Sequence, residues 1–575
     1  MYVNDIALYV EDDVNIQETT ATIYLRNGAQ LLQGSGTTGN SGNGRLSVFQ
    51  TGTSNTYMYN YWCSPVGINS GVAGNTVFTP NINFYYETAA PITSTPFGYI
   101  TGYNGTATQI ANYWLYTFTG ITAPPYDYQD WEGLGAGPGS LSTGGLENGT
   151  LDAGYGFTMK GNSSGAQKYD FRGRPNNGTI TTTLNANRET LVGNPYPSAI
   201  DAREYIHDTN NAAIIDSGTL SFWEQDPAQS TSHVLVNYVG GYATYTINAA
   251  GTVETFIPAT FDTYNFDGTL NTAGGSSTSG KNVYRYIPIG QGFMVRGNNT
   301  GGTLRTTNAM RVFQKEAPSL SEFFRTNDQQ QRNTVSTYDE NGLFLVPENF
   351  KRFRLNVDFN DTYTRQLLQN FHPSATNGED YGLETVSPAA LNSDVYWPFD
   401  GKAYNAQAFN FDVDLRIPLV LNIDHAQLVR FRIFDIQHFN ETQPIFIHDI
   451  ENDIYINLRT QPYELSLQPG IYANRFEITF TSNALNIDHH VFENLTVFQN
   501  NYVSELQVHN PNLFDIKSVQ LIDVSGKQIF NQVALPLENQ YAFSTKNLSE
   551  GIYIVTVTLE TGQELNKKII VTNKS

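Results

Sequence analysis

The sequence predicts an all-β protein of several domains, and three observations support this. Short segments in which polar and apolar residues alternate recur along the whole chain, as in strands with one buried face. Glycine (49 residues), tyrosine (35) and phenylalanine (34) are abundant, which is typical of aromatic strands joined by glycine turns. The chain has 575 residues, and domains usually hold roughly 100–200. We therefore expect several β-domains in succession.

Charge and cysteine content limit the partners and the covalent cross-links that we expect for the protein. Lys and Arg total 32 and Asp and Glu total 54, which gives a net charge of −22. A chain this acidic is repelled by nucleic acid and by anionic lipid, so neither is an expected partner. The single cysteine, Cys63, excludes an intramolecular disulfide, and its aromatic surroundings predict a buried, unreactive thiol. The N-terminus has no export-signal pattern, so we expect the sequence to be the end of a longer precursor.

Residues 1–50 form a β-rich N-terminal segment, which we interpret as the possible end of an upstream β-structure. Strand patterns at 22–25 and 29–33 precede a glycine-rich loop at 34–44. Such a loop can cradle phosphate, but a Lys-Ser/Thr pair and a following helix are both missing here. We therefore predict an ordinary flexible loop.

Residues 51–190 and 191–316 are predicted to be two related β-modules. The string NYWCSPVG at 60–67 is echoed by VGNPYPS at 192–198, and GFTMKGN at 156–162 matches GFMVRGN at 292–298. Repeated strand and turn units of this kind indicate an internal duplication whose copies pack together. A short helix is predicted to start near Ser198, with Asp201 in its first turn.

The second half of the chain is predicted to hold two further β-domains. Residues 317–342 are polar and aperiodic and form a linker. Residues 343–482 carry long alternating strands, which predict a β-sandwich of jelly-roll type. Residues 483–495 are a second linker, where proteolytic removal of the C-terminal domain is expected. Residues 496–575 predict an immunoglobulin-like sandwich of roughly seven strands.

Two local patterns define that C-terminal domain. Gly526 lies in the turn DVSGK at 523–527, where a residue that tolerates positive φ is required. The run IYIVTVTL at 552–559 is so apolar that we expect it to be buried on both faces.

The order of motifs in this domain resembles the type A C-terminal sorting domain of the type IX secretion system of Bacteroidetes. The motifs are Asn510-Pro511, DVSGK, LSEGIY at 548–553 and KKIIV at 567–571. Under this resemblance, the transport signal that binds the partners is carried by Asn510, Pro511, Asp523, Gly526, Lys527, Gly551, Tyr553, Lys567 and Lys568. The alternative is an ordinary end domain whose glycines and lysines serve turns and solubility.

The resemblance implies a route and a set of partners. The protein would cross the periplasm and then the outer membrane through the type IX translocon barrel, with an outer-membrane shuttle barrel as a second partner. A sorting peptidase would remove the domain, and the mature protein would be attached to lipopolysaccharide at the cell surface or secreted. Residues 1–482 also resemble the C-terminal region of large flavobacterial adhesin-like surface proteins, on the strings NYWCSP, VGNPYPS and IGQGF at 289–293.

Motifs for catalysis and cofactors are weak. GNSSG at 161–165 fits the Gly-x-Ser-x-Gly pattern, but a strand rather than a helix follows it, so we predict a hairpin turn. We expect no enzyme activity, no catalytic residue and no cofactor. A structural calcium ion at Asp358, Asp361, Asp412 and Asp414 is left open, although no motif supports it.

Aromatic residues near turns give one candidate for ligand binding. Trp131 and Trp397 are candidates for stacking on surface glycans, with burial in a β-core as the alternative. The favoured function is therefore a non-catalytic, adhesin-like surface protein. The alternative is a carbohydrate-binding accessory region of a secreted polysaccharide-degrading protein. A hydrolase within the chain would require a pair of carboxylates in a cleft.

Overall fold

β-Strands make up almost all the regular structure of the described residues, so the predicted all-β class is confirmed. The structure is a computed structural model, and it describes the chain apart from residues 37, 53–54, 80–83, 91, 97, 121–130, 135–148, 165–166, 227, 235–236, 264–276, 279–280, 318–319, 324–336, 340–341, 361, 389, 483–494, 525 and 573–575. Most of the two predicted linkers, 317–342 and 483–495, lies outside the described residues.

The described N-terminal strands build two larger sheets and two two-stranded ones around one core. The strands are β1 (Tyr2–Asn4), β2 (Ala7–Val10), β3 (Thr22–Arg26), β4 (Gln30–Gln33), β5 (Arg45–Gly52), β6 (Tyr59–Cys63), β7 (Val66–Gly67), β8 (Phe84–Ala90), β9 (Thr93–Pro96), β10 (Gly98–Ile100), β11 (Gln109–Ala111), β12 (Tyr116–Thr117), β13 (Glu132–Gly133), β14 (Gly156–Lys160) and β15 (Gln167–Pro175), with a 3₁₀ helix at Asn112–Trp114. One sheet runs β1-β3-β5-β15-β8-β9, and the other runs β13-β12-β14-β6. Val48 and Phe171 of the first pack with Trp62 and Phe157 of the second. The first three strands of the larger sheet are parallel to one another.

The second group of strands forms its own sheet and core. Its elements are β16 (Ile180–Leu184), β17 (Glu189–Gly193), β18 (Ala199–Asp201), α1 (Ala202–Ile206), α2 (Thr209–Ala212), β19 (Ile215–Gln225), β20 (Val239–Ile247), β21 (Glu254–Ile257), β22 (Thr260–Thr263), β23 (Ser277–Thr278), β24 (Tyr286–Ile287), β25 (Gly292–Gly297), β26 (Gly302–Thr306), a 3₁₀ helix at Asn308–Met310 and β27 (Arg311–Val312). The main sheet runs β17-β25-β19-β20-β22-β23. Helix α1 starts later than predicted, because Asp201 is its N-cap and accepts the Arg203 N–H at 3.0 Å.

The first module (β1–β15) and the second module (β16–β27) contact each other through equivalent strands. In the first, β6 pairs with β14 and Cys63 lies opposite Gly156; in the second, β17 pairs with β25 and Gly193 lies opposite Gly292. Isolated bridges join Trp62 to Gln291 and Tyr155 to Val192, so each module contributes the same two positions to the other. This is the isologous contact of a two-fold pair, here made within one chain.

The predicted third sandwich is built from one continuous path of strands. They are β28 (Lys351–Phe359), β29 (Tyr363–Phe371), β30 (Thr385–Val386), β31 (Asp394–Phe399), β32 (Lys402–Phe409), β33 (Arg416–Ile423), β34 (Gln427–Gln437), β35 (Phe446–Asp449), β36 (Ile454–Asn457), β37 (Tyr463–Leu467) and β38 (Gly470–Thr479). The order is β36-β35-β38-β33-β31-β32-β29-β28-β34-β37, with β30 beside β32. Strands from both halves of this path share a core that includes Phe353, Trp397 and Phe476.

Buried arginines join this sandwich to the second module. Arg352 Nη2 donates to the Glu254 carbonyl oxygen and Arg354 Nη1 donates to the Phe256 carbonyl oxygen, each at 2.8 Å. Both arginine side chains are buried, so these hydrogen bonds lie inside the contact between the two sheets. Buried donors of this kind are costly to leave unpaired, which ties the two modules together.

The C-terminal module is a seven-stranded sandwich, as predicted. Its strands are β39 (Thr496–Asn500), β40 (Glu505–His509), β41 (Ile516–Asp523), β42 (Gln528–Val533), β43 (Gln540–Ser544), β44 (Gly551–Leu559) and β45 (Glu564–Val571). The sheets β39-β40-β43 and β42-β41-β44-β45 enclose Val508, Leu521 and Val555. The prediction that β44 is buried on both faces is wrong. Ile552 is 39% exposed and Ile554 is 37% exposed, because alternate side chains of β44 point away from the core.

Candidate functional site

The turn between β41 and β42 presents part of the predicted transport signal. The Lys527 N–H donates to Asp523 Oδ1 at 3.0 Å, and the Asp523 N–H donates to the Lys527 carbonyl oxygen at 2.9 Å. Gly526 has φ of 84°, in the left-handed region that favours glycine, so the predicted turn is confirmed. Lys527 is exposed at the end of this turn.

Two of the proposed signal residues are buried and hold loops in place. Asn510 is fully buried; its Nδ2 donates to the carbonyl oxygens of Phe514 and Glu538 at 2.9 and 3.1 Å. Tyr553 is 6% exposed, and its hydroxyl donates to the Ser549 carbonyl oxygen at 2.8 Å. These two side chains are therefore not presented at the surface of the folded module, and their part in the transport signal stays a prediction.

The other proposed signal residues differ in exposure. Pro511 and Lys568 are exposed, and Gly551 is partly buried. Lys567 is half-buried against the third sandwich, with its Nζ 5.9 Å from the centre of the Tyr455 ring. Burial lowers the pKa of the Lys567 ammonium, and the charge of Asp453 opposes that shift. The two adjacent lysines therefore differ in exposure, and only Lys568 is fully accessible to a partner.

Trp397 does not fit the predicted role in glycan stacking. Its side chain is 0% exposed and lies within the core of the third sandwich, so that prediction is wrong. Strand alternation explains the result: Val395 and Trp397 point inward, while Tyr396 between them points outward and is half-buried. The alternating pattern of 394–399 could have given this answer from the sequence.

Trp131 of the first module lies at an open groove that the second module and the third sandwich also line. Its ring packs edge-on against Phe118, at 5.1 Å between ring centres, and against Tyr61, at 6.0 Å. The groove has a volume of about 1020 Å³. Met294 and Tyr242 line it from the second module, and Tyr396 and Ile471 line it from the third sandwich.

A row of alternating charges follows one side of this groove. Arg296 Nη1 lies 2.6 Å from Glu189 Oε1, and Arg296 Nε lies 3.8 Å from Asp216 Oδ2. Asp216 Oδ1 in turn lies 2.6 Å from Lys402 Nζ. These residues come from β17, β25, β19 and β32, so no local spacing in the sequence indicates that they meet.

The described residues among the candidate calcium ligands do not form a metal site. Asp358 is held by Arg430 at 2.9 Å and Arg432 at 2.7 Å, so it does not fit a calcium ligand, and Asp361 lies outside the described residues. Within the described part of the chain, no group of three or more His, Cys, Asp or Glu is placed to hold a metal ion. Ser163 and Ser164 connect β14 and β15, which lie in different sheets, so the predicted hairpin is wrong. Among the described helices, none is long and apolar enough to cross a membrane.

Comparison with known families gives a match over most of the chain. Residues 2–480 match the family described as "Domain of unknown function (DUF8693)". The chain belongs to the DUF8693 family. Residues 471–571 match a second family, "Domain of unknown function (DUF8694)", which covers the C-terminal module. No curated protein sequence matches this DUF8693 chain.

Likenesses to solved structures are distant. The Salmonella enterica SafA pilin in complex with the SafB chaperone has 12% identity and a TM-score of 0.10, over 39% of this chain and 86% of that one. Dimeric latent PorU from Porphyromonas gingivalis has 10% identity and a TM-score of 0.13, over 41% of this chain and 31% of PorU. The extracellular domain of the putative one component system BT4673 from B. thetaiotaomicron has 10% identity and a TM-score of 0.10, over 68% and 61%. TM-scores this low carry no functional argument.

Proposed function

We propose that this DUF8693 chain is a non-catalytic, adhesin-like cell-surface protein, and that its C-terminal module is the signal for export by a type IX secretion system. The observation that carries the proposal is the C-terminal module itself. It is a sandwich with its own core, and Val524, Gly526 and Lys527 of its motif turn are exposed. The order of its motifs supports the same assignment, because it resembles that of type A sorting domains.

The proposal divides the motif residues into two roles. Pro511, Lys527 and Lys568 are exposed and are the side chains that a translocon or shuttle barrel would contact. Asn510 and Tyr553 are buried and maintain the loops that present them. On this route, a sorting peptidase then removes the module, and the remaining chain is attached to lipopolysaccharide or released.

A reporter fusion tests the proposal. Residues 485–575 are joined to a fluorescent protein that carries an N-terminal export signal, in a bacterium with a type IX system. We expect the reporter at the cell surface or in the medium, and in the periplasm when the translocon is deleted. A reporter that remains in the periplasm of the intact strain would contradict the proposal.

Lysine variants of the same fusion separate recognition from folding. Lys527→Ala combined with Lys568→Ala removes two exposed charges and should reduce export without unfolding the module. Lys517→Ala is the matched control, since Lys517 is equally exposed but lies outside the motifs. Asn510→Ala should also reduce export, but through a loss of stability that circular dichroism detects, because it leaves buried backbone groups unpaired. Equal export of the double variant and the control would exclude recognition through these lysines.

A further inference from the structure

The groove at Trp131 has the dimensions of a ligand site. Its volume of about 1020 Å³ lies at the upper end of the range of small-ligand pockets, roughly 300–1,000 Å³. It also lies where three modules meet, and junctions between domains are preferred places for ligand sites. A cleft of this size admits a ligand of more than one ring.

The groove combines aromatic side chains with an open mouth. Phe118, Trp131 and Tyr242 line one side and are half-buried, so part of each ring faces the cleft. They are held by packing beneath them: Tyr61 contacts Trp131 edge-on, and the hydroxyls of Tyr61 and Tyr242 lie 2.8 Å apart. Tyr396 lines the opposite side. Aromatic surfaces fixed in this way are suited to stacking on a flat, partly apolar ligand.

Among the described residues, the groove is lined by three cationic and three anionic side chains, which are Arg188, Arg296, Lys402, Glu189, Asp216 and Asp394. Glu189, Arg296, Asp216 and Lys402 form a continuous row in which each carboxylate lies beside a cation. Such a row offers neither a net positive nor a net negative field, so it does not favour a charged ligand. It does present fixed donors and acceptors side by side, which is the arrangement that pairs with hydroxyl groups.

The backbone around Asp216 is strained. β19 is bulged between Ile215 and Leu220, and Ser217 within the bulge has φ of 54°, which is uncommon for a non-glycine residue. Bulges re-aim side chains, and strained residues persist mainly where the surrounding structure holds them for a purpose. Asp216 next to this bulge is 6% exposed and bonded to Lys402 of the other module.

We infer that this groove binds a neutral oligosaccharide, which stacks on Trp131 and Tyr242 and pairs its hydroxyl groups with the row of Glu189, Arg296, Asp216 and Lys402. Sugars are the ligand class that has both flat apolar faces and many uncharged hydroxyl groups. The net charge of −22 adds to this choice, since it opposes the approach of anionic polysaccharides. The inference is independent of the export route, because the residues that line the groove all precede the C-terminal module, the last being Ile471.

Binding to a panel of hexasaccharides tests the inference with the full chain. The neutral probes are cellohexaose, xylohexaose, mannohexaose and maltohexaose, and hexagalacturonic acid is the anionic counterpart. Binding is measured by calorimetry and by tryptophan fluorescence. We expect at least one neutral hexasaccharide to bind and the anionic one not to bind. No binding of any neutral probe at millimolar concentration, or binding of the anionic probe alone, would overturn the inference.

Three variants locate the binding. Trp131→Ala removes the stacking surface and should weaken binding about tenfold or more. Ala390→Trp fills the groove from an exposed lining position and should abolish binding without disturbing a core. Ala250→Trp is the matched control, because Ala250 is exposed but does not line the groove. If Trp131→Ala lowers stability, Ala390→Trp alone decides. Unchanged affinity of Ala390→Trp for the oligosaccharide would contradict the assignment of the ligand to this groove.

Discussion

At the scale of single residues, two glycines allow the duplicated modules to meet. A Cβ added to Gly292 of the second module would lie 2.8 Å from the backbone nitrogen of Trp62 in the first module. One added to Gly156 of the first module would lie 2.8 Å from Leu191 Cγ and 3.0 Å from the Val192 carbonyl oxygen of the second. Contacts this short with backbone atoms require the strands to separate. The glycines of the repeated strings GFTMKGN and GFMVRGN are therefore explained by close approach of the two modules.

Gly292→Ala should lower the free energy of unfolding by about 1–3 kcal/mol, since the added methyl group overpacks a backbone contact. Urea denaturation monitored by fluorescence measures the change. Gly71→Ala is the control: Gly71 is exposed, and an added Cβ there would meet only the Asn43 side chain, at 3.7 Å. Similar effects of the two substitutions would contradict the close approach at Gly292.

Two buried carboxyl groups should make stability depend on pH. Burial raises the pKa of Glu254 to about 7 and that of Glu384 to about 8, from an ordinary value of 4.5. The folded state then binds more protons than the unfolded state above pH 4.5, so the free energy of unfolding falls as the pH rises toward 7 and 8. Each proton retained only by the folded state contributes a slope of about 1.4 kcal/mol per pH unit.

Urea denaturation at pH 5, 6, 7 and 8 checks this expectation. Glu254→Gln and Glu384→Gln should each flatten the fall in stability, because glutamine cannot ionise. Glu564→Gln, at an exposed position, serves as the control and should leave the slope unchanged. A slope that neither buried substitution alters would show that other groups cause the pH dependence.

At the scale of elements, the sequence is informative about strands and turns and less so about what covers them. The alternation of β41 and the glycine turn at 523–527 follow from local physics, so both could be predicted. The exposure of the outer face of β44 could not be predicted. Whether Ile552 and Ile554 are covered depends on a further layer of the fold, which the sequence does not specify. The charged row of the groove was also beyond prediction, since Asp216 and Lys402 meet only through the packing of separate modules.

Strand β31 offers a direct test of the inward and outward faces. Trp397→Ala should lower the free energy of unfolding by about 3–5 kcal/mol, because it leaves a cavity in the core. Tyr396→Ala, one position away on the outer face, should cost much less. Chemical denaturation of the two variants provides the comparison, and a larger cost at Tyr396 would contradict the observed register of the strand.

At the scale of the whole molecule, the modules differ in how firmly they are joined. The first and second modules exchange backbone bridges, and the second and third share buried hydrogen bonds from Arg352 and Arg354. The C-terminal module has its own core, and its described contacts with the third sandwich include Phe498 and Lys567 at the surface of that sandwich. Cooperative unfolding follows shared buried contacts, so we expect two thermodynamic units.

Calorimetry of the full chain and of residues 1–482 should therefore show that the C-terminal module melts on its own. Truncation should remove one small transition and leave the main one within a few degrees, because Phe498 is the one residue of the module among the described side chains that form or pack against the core of residues 353–480. Arg354→Ala is the matched test of the junction between the second module and the third sandwich. It leaves the Phe256 carbonyl oxygen without its buried donor and should lower the temperature of the main transition. If truncation instead abolishes the main transition, the C-terminal module is an integral part of the fold, and its removal at the cell surface would unfold the cargo.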